Sequence, residues 1–126
     1  MEEKKTVLVV DDEESLVNVL SRKLTDEGLH VLTAVNGKDG LAVALEKHPD
    51  LTLLDIMMPE MDGFEVIREL RQDAWGKTAQ VIFLTNSSSI ETVAQAVSTG
   101  MNEFLVKSDM RLDDIVKHVK ERLSRM

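Results

Sequence analysis

Acidic side chains directly follow two of the apolar runs in this sequence. Asp11 and Asp12 come after "TVLVV", and Asp55 comes after "LTLL". Three like charges brought together repel one another by about 1 kcal/mol per pair in water, and several-fold more in a partly buried site. Either their pKa values rise or a cation lies among them. Oxygen ligands with no histidine or cysteine nearby favour a hard ion such as Mg2+.

A hydroxyl group and an ammonium group end two further apolar runs. Thr85 closes "QVIFLT", and Lys107 follows "EFLV". Acids, a hydroxyl donor and a compact cation together are typical of a phosphoryl-transfer site. In such a site a carboxylate is the nucleophile, while metal and lysine neutralise the phosphoryl oxygens. Asp55 is the predicted nucleophile.

Each of these residues also has a purely structural interpretation. The acids of "DDEES" could cap a helix, since negative groups are favoured at helix N-termini. Asp55 could begin a turn before Pro59. Thr85 could be an ordinary strand residue, and Lys107 a solvated charge. Taken singly these are the commoner roles, but the joint placement at the ends of four apolar runs favours the phosphoryl site.

Strand-like and helix-like segments alternate strictly along the chain. The predicted strands are 6–10, 30–35, 51–54, 80–85 and 103–106. Between and after them, apolar residues recur at helical spacing in five segments: Leu16, Leu20 and Leu24; Leu41, Ala44 and Leu45; Phe64, Ile67 and Leu70; Ile90, Val93, Ala94 and Val97; Leu112, Ile115, Val116, Val119 and Leu123. Such spacing predicts five amphipathic helices.

This alternation predicts an α/β fold with right-handed crossovers and helices on both faces of a parallel sheet. The usual order for five such units is 2-1-3-4-5, the doubly wound, flavodoxin-like arrangement. Its switch point lies between the first and third strands, and ligands bind outside the carboxyl ends of the strands there. The three acids should therefore meet at that point.

Size and charge limit the function classes. With 126 residues the chain is long enough for one domain and too short for two of ordinary size, so we expect a single domain over 1–126. Fifteen basic and 23 acidic side chains leave a net charge of −8, which disfavours nucleic-acid and membrane partners. The chain has no cysteine, which fits a cytoplasmic protein.

The sequence resembles the receiver domains of two-component response regulators, especially the stand-alone kind used in chemotaxis-type signalling. The resemblance covers about residues 5 to 123 and is carried by "VLVVDDEES", "DLTLLDIMMPEMDGFEVIREL", "VIFLT" and "GMNEFLVK", in order and at the family's spacing. It implies a phosphorylation-controlled switch that catalyses only its own phosphoryl transfer and dephosphorylation. We expect no output domain after the last helix, so the signal should leave through another protein.

The resemblance also implies roles at the metal and acceptor site. Asp55 would be the phosphoacceptor, and Asp12 would bind Mg2+ directly. Asp11 would help through the water shell of the metal, and the backbone carbonyl of Met57 would complete the protein ligands. The implied phosphodonor is a phosphohistidine on a sensor histidine kinase or phosphotransfer protein.

A conformational switch is implied as well. Thr85 would bond one phosphoryl oxygen after transfer, and Lys107 would pair with another. Phe104 matches the family's switch aromatic, which turns inward when the threonine moves toward the phosphoryl group. The fourth helix, fifth strand and fifth helix would then present a changed surface to an unidentified target, with the domain a monomer or a phosphorylation-dependent dimer.

Several positions depart from the family's pattern. Ser108 stands where proline is usual, and a cis bond there would cost roughly 3 kcal/mol, so we expect a trans or rearranged loop. Asn86 stands where a small residue is usual beside the threonine, and Met101 stands where alanine is usual. Met57 is apolar two positions after the acceptor and should position a hydrolytic water poorly. We therefore predict a persistent phosphoryl group.

Three other functions fit the architecture less well. A phosphatase of the haloacid dehalogenase type needs a second aspartate where this chain has Met57. A flavin or dinucleotide carrier needs a glycine-rich loop after the first strand, where Asp11 and Asp12 would repel its phosphates. A receiver-like module that binds proteins without phosphorylation would not need the full set of acids, threonine and lysine.

Overall fold

The computed structural model describes residues 4–86 and 89–126. Five strands form one parallel sheet in the order β2-β1-β3-β4-β5, which confirms the predicted flavodoxin-like topology. The strands are β1 Thr6–Val10, β2 His30–Ala34, β3 Leu51–Leu54, β4 Val81–Thr85 and β5 Glu103–Val106. These bounds differ from the predicted ones by one residue, at the end of β2 and at the start of β4.

Five α-helices connect and follow the strands: α1 Glu14–Asp26, α2 Gly37–Lys47, α3 Gly63–Gln72, α4 Ile90–Ser98 and α5 Leu112–Ser124. Three of them begin where a polar side chain accepts a hydrogen bond from a backbone N–H of the first turn, as helix caps do. The capping residues are Asn36, Asp62 and Ser89. Short 3-10 turns, Gly76–Thr78 and Lys107–Asp109, precede β4 and follow β5.

The core lies in two layers, one on each face of the sheet. Alternate strand residues point to opposite faces, so Leu8 and Val10 of β1 pack with α2, α3 and α4, while Val7 and Val9 pack with α1 and α5. All four of these residues are at most 1% exposed. A sheet buried on both faces explains why the strands are continuous apolar runs rather than alternating ones.

Helix α4 buries a different face from the one that its apolar spacing predicts. Ile90 is 87% exposed and Val97 is 61% exposed, and Ala94 is exposed too. Ala96 is the buried residue of the helix. The helix predicted from Ile90, Val93, Ala94 and Val97 is present, but three of these four residues are exposed. The helix has small or apolar residues almost all round, so spacing alone does not select the inner face.

No helix within the described residues combines the length and the apolar character that crossing a membrane requires.

Candidate functional site

The sheet brings the acids of β1 and β3 to one edge. The two strands are neighbours, and Val10 pairs with Leu54 at their carboxyl ends. The backbone N–H of Asp55 donates to the carbonyl of Val10 at 2.9 Å, and that of Asp11 donates to Ala34 at 3.1 Å. The parallel pairing of β1 and β3 therefore places Asp11 and Asp55 next to each other at the carboxyl ends of these strands.

The three predicted acids form one cluster. Carboxylate oxygens of Asp11, Asp12 and Asp55 all lie within 4.8 Å of one another. Asp11 is 2% exposed and Asp55 is 4% exposed, whereas Asp12 is exposed to solvent. Asp11 also accepts a hydrogen bond through Oδ1 from the backbone N–H of Glu13 at 2.9 Å. This hydrogen bond fixes the residue just before α1; Glu13, the N-cap residue of that helix, makes no side-chain capping hydrogen bond.

Lys107 reaches the same cluster from the end of β5. Its Nζ lies 2.6 Å from Oδ2 of Asp11 and 3.6 Å from Oδ1 of Asp55. The lysine side chain is 11% exposed, so this contact is an ion pair within the site and the solvated interpretation of Lys107 is wrong. The ammonium group balances part of the negative charge of the acids.

The electrostatics of the acceptor follow from this geometry. Burial, together with the charges of Asp11 and Asp12, raises the pKa of Asp55 from 3.8 to about 7, against the opposing effects of Lys107 and the backbone N–H of Ile56. Burial acts to lower the pKa of Lys107, but its hydrogen bond to Asp11 and the charges around it raise the pKa above its ordinary value of 10.5. The site holds more negative charge than its one lysine balances.

Glu13 adds to this field and was missed from the sequence. Its charge is one of the causes that raise the pKa of Lys107. The signal in the sequence is the run of four acids "DDEE", which extends past Asp11 and Asp12.

The loop after Asp55 folds back tightly against the acceptor strand. The carbonyl of Ile56 accepts hydrogen bonds from the N–H of Met58 at 3.1 Å and of Gly63 at 2.8 Å. A Cβ atom at Gly63 would lie 2.4 Å from the carbonyl oxygen of Asp55, so only glycine fits at the start of α3. Met57 lies between these contacts with a side chain that is 67% exposed.

Thr85 and Phe104 occupy the neighbouring strands. Thr85 ends β4 and is fully buried, two residues beyond Phe83, which pairs with Leu54. Phe104 pairs with Phe83 from β5 and is partly buried against the core. Asn86, directly after Thr85, is exposed, and Met101 packs against the core on the same side as Phe104.

The loop after Lys107 contains no cis peptide bond, as the serine at 108 predicts. Lys107, Ser108 and Asp109 form a 3-10 turn, and Met110 and Arg111 lead into α5 in extended conformation. The turn places Lys107 at the acid cluster and leaves Ser108 exposed.

The donor set of the cluster fits a hard divalent cation. It consists of carboxylate oxygens from Asp11, Asp12 and Asp55, with no histidine or cysteine among the grouped residues. Such ligands suit Mg2+, which keeps several of its waters and needs few protein oxygens. A divalent ion would also relieve the repulsion that raises the pKa of Asp55.

Comparisons with known proteins identify the family. The model of the response regulator receiver domain matches residues 7–120. Response regulator PleD of Caulobacter vibrioides is 39% identical over 116 residues, which are 92% of this chain and 25% of PleD. The probable transcriptional regulatory protein TcrX of Mycobacterium tuberculosis is 32% identical over 120 residues, 95% of this chain and 50% of TcrX. The chain thus spans a quarter to a half of the length of these curated relatives.

Solved structures agree with the sequence relatives. The chemotaxis protein CheY4 of Vibrio cholerae superposes with a TM-score of 0.87 at 30% identity, covering 94% of this chain and 98% of CheY4. A CheY-like receiver domain protein from Methanospirillum hungatei has a TM-score of 0.89 at 25% identity, covering 98% and 96% of the two chains. The chain therefore belongs to the response regulator receiver domains, the phosphorylation-controlled switches of two-component signalling.

Proposed function

We propose that Asp55 is the phosphoacceptor of this switch and that Mg2+ assists the transfer. The observation that carries the proposal is the cluster in which Asp11, Asp12 and Asp55 offer oxygens within 4.8 Å of one another beside the ammonium group of Lys107. A carboxylate that is buried, flanked by a metal-type donor set and faced by one lysine suits a nucleophile for phosphoryl transfer better than a structural turn residue does.

In the proposed reaction a carboxylate oxygen of Asp55 attacks the phosphorus of a phosphohistidine on a sensor histidine kinase or phosphotransfer protein. The new bond is P–O, and the P–N bond breaks. The imidazole nitrogen keeps the electron pair and takes up a proton from water. The product is an acyl phosphate on Asp55. Bound Mg2+ would supply positive charge for the phosphoryl oxygens as the bond to the donor loosens.

The chain's own residues position the reacting groups. Asp12 and Asp11 would hold the metal, the first directly and the second through its water shell, and the backbone carbonyl of Met57 would be a further ligand. No hydrogen bond to that carbonyl occurs in the described part of the chain, which supports its availability. Lys107 already lies within 3.6 Å of Asp55 and would pair with a phosphoryl oxygen after transfer.

The conformational change that follows phosphorylation would begin at Thr85 and alter the surface formed by α4, β5 and α5. A phosphoryl group carries close to two negative charges and strong acceptor oxygens, which would draw the Thr85 hydroxyl toward it. The partly buried ring of Phe104, on the strand beside β4, would turn further inward. A target protein is regulated only as far as it binds the two states with different affinity.

Further properties of this switch follow from the same proposal. The domain catalyses only its own phosphoryl transfer and dephosphorylation, and it is a monomer or a phosphorylation-dependent dimer. We also propose a cytoplasmic location, on the strength of the family's place in two-component signalling. Binding experiments with the phosphorylated and unphosphorylated states would identify the cognate kinase and the target.

Incubation with acetyl phosphate and Mg2+, followed by intact mass spectrometry, tests the acceptor. The wild type should gain the mass of one phosphoryl group, and the gain should disappear with Asp55→Ala or when EDTA removes the metal. Asp26→Ala is the matched control, because Asp26 is an exposed aspartate of α1 outside the cluster. An unchanged gain in Asp55→Ala would contradict the proposal.

A further inference from the structure

Helix α4 lacks a charge that the other helices have. The last turns of α1, α2, α3 and α5 each contain a basic residue: Lys23, Lys47, Arg71 and Arg122. A cation there complements the unpaired carbonyls and the negative end of the helix dipole. The last turn of α4 contains none. With Ala96 as its buried residue, this helix also has little core packing to hold it.

Arg71 of α3 supplies the missing cation from outside α4. Its Nε donates to the carbonyl of Thr99 at 3.3 Å, and one terminal nitrogen donates to the carbonyl of Gly100 at 2.8 Å. These two residues follow the last residue of α4, Ser98. Two nitrogens of one rigid guanidinium group therefore hold the carboxyl end of a helix that comes later in the sequence.

The other terminal nitrogen fixes the guanidinium group itself. It donates to the carbonyls of Gly76 at 2.8 Å and Ala79 at 2.7 Å, in the segment between α3 and β4. The same segment packs closely on α3, since a Cβ atom at Gly76 would lie 1.9 Å from the carbonyl oxygen of Leu70. Within the described residues Arg71 forms no ion pair, so its charge acts on backbone carbonyls alone.

The two ends of α4 are thus held differently. At its N-terminal end the backbone N–H of Thr92 donates to the hydroxyl of the capping residue Ser89 at 3.2 Å, on the side of the helix that follows Thr85. At its C-terminal end Arg71 joins it to α3 and to the segment before β4. Charged donors form the stronger hydrogen bonds, so among the contacts of the described residues those at the C-terminal end are the firmer.

We propose that Arg71 is a positioning residue that anchors the C-terminal end of α4. The rearrangement that follows phosphorylation is then confined to the N-terminal end, which lies next in the chain after Thr85. This inference rests on the proposed function, because it concerns how the response of Asp55 and Thr85 reaches the surface. It assigns Arg71 no contact with the phosphoryl group.

Residue-level amide hydrogen exchange, with and without beryllofluoride and Mg2+, tests this role. In the wild type the treatment should change exchange rates at residues 89–95 while leaving those at 97–101 within about twofold. In Arg71→Met, exchange at 97–101 should rise by about tenfold or more before treatment, because hydrogen bonds to a charged donor are lost. The response to beryllofluoride should then extend to 97–101.

Two further variants make the test specific. Arg71→Lys keeps the charge but not the planar fork, so it should give an intermediate result, and it decides the question if Arg71→Met does not fold. Arg68→Met should behave like the wild type, because Arg68 is an exposed arginine on the same helix whose side chain forms no hydrogen bond with the described residues. Wild-type exchange that changes equally at both ends of α4 would overturn the inference, as would Arg71 variants that match Arg68→Met.

Acetyl phosphate labelling read by intact mass separates this inference from the proposed function. If the wild type gains no phosphoryl group, both are refuted. If the wild type and Arg71→Lys are phosphorylated alike and α4 responds identically in the two, only the anchoring role of Arg71 is refuted.

Discussion

Replacing Asp55 by asparagine should stabilise the metal-free protein at neutral pH. Burial and the charges of Asp11 and Asp12 raise the pKa of Asp55 to about 7. The folded chain therefore binds the Asp55 proton more tightly than the unfolded chain does. Ionising this group costs the folded state free energy, which an uncharged amide of similar shape avoids.

The size of the effect depends on pH in a defined direction. Below its ordinary pKa of 3.8 the carboxyl group of Asp55 is protonated in both the folded and the unfolded chain, so it does not destabilise the folded state. The cost grows as pH rises from 3.8 toward 7 and is constant above that. Each pKa unit corresponds to about 1.4 kcal/mol, so the limit is about 4 kcal/mol. The pKa of about 7 already includes the attraction of Lys107, so nothing further is subtracted for that contact, and we expect a gain of up to about 4 kcal/mol at pH 8.

Urea denaturation in EDTA at about pH 8 and about pH 5 measures this gain. It should fall by more than half at the lower pH, where the carboxyl group in the folded state keeps its proton. Asp26→Asn is the control for the change in net charge, because Asp26 is exposed and lies outside the cluster. If Asp55→Asn gained no more than Asp26→Asn, or gained equally at both pH values, the account of the site's electrostatics would be refuted.

Three further predictions concern the same site. Millimolar Mg2+ should raise the melting temperature of the wild type more than that of Asp55→Asn, since a ligand of the folded state stabilises it; equal shifts would contradict the metal site. Lys107→Met should destabilise the metal-free protein by about 2–4 kcal/mol in urea denaturation, because Asp11 keeps a buried charge without a partner. The exposed control Lys77→Met should change stability by less than about 0.5 kcal/mol, and an equal effect of the two would refute the buried ion pair. Because of the apolar Met57, the phosphorylated form should persist for minutes or longer after acetyl phosphate is removed; decay within seconds, followed by intact mass, would contradict this.

The strands and the acid cluster could be predicted from the sequence because both depend on local patterns and on one rule of topology. Short apolar runs bounded by turns gave the strand bounds to within one residue. The order 2-1-3-4-5 then placed the residues after β1 and β3 side by side, and Asp11 and Asp55 do meet there. The roles of Asp55, Thr85 and Phe104 in phosphorylation stay predictions until they are tested. The absence of an output domain and the stand-alone organisation stay predictions too.

The position of Lys107, the inner face of α4 and the contacts of Arg71 could not be predicted, because they depend on tertiary packing and not on a local sequence pattern. Lys107 lies closer to Asp11 than to Asp55 because of the path of the turn after β5, which spacing does not specify. The spacing of apolar residues in α4 does not specify its inner face, because several of its faces are apolar or small. Arg71 was missed because its partners are backbone carbonyls of distant residues, and the only trace in the sequence is the lack of a basic residue at the end of α4.

The central claim is that Asp55 itself takes the phosphoryl group, in a pocket that needs a divalent ion. Borohydride reduces an acyl phosphate to a primary alcohol, so treatment of the acetyl phosphate-labelled protein followed by peptide mapping locates the acceptor. The account predicts homoserine at position 55, dependent on Mg2+, with Asp11 and Asp12 unchanged. Reduction at another residue, or at position 55 to the same extent in EDTA, would contradict it.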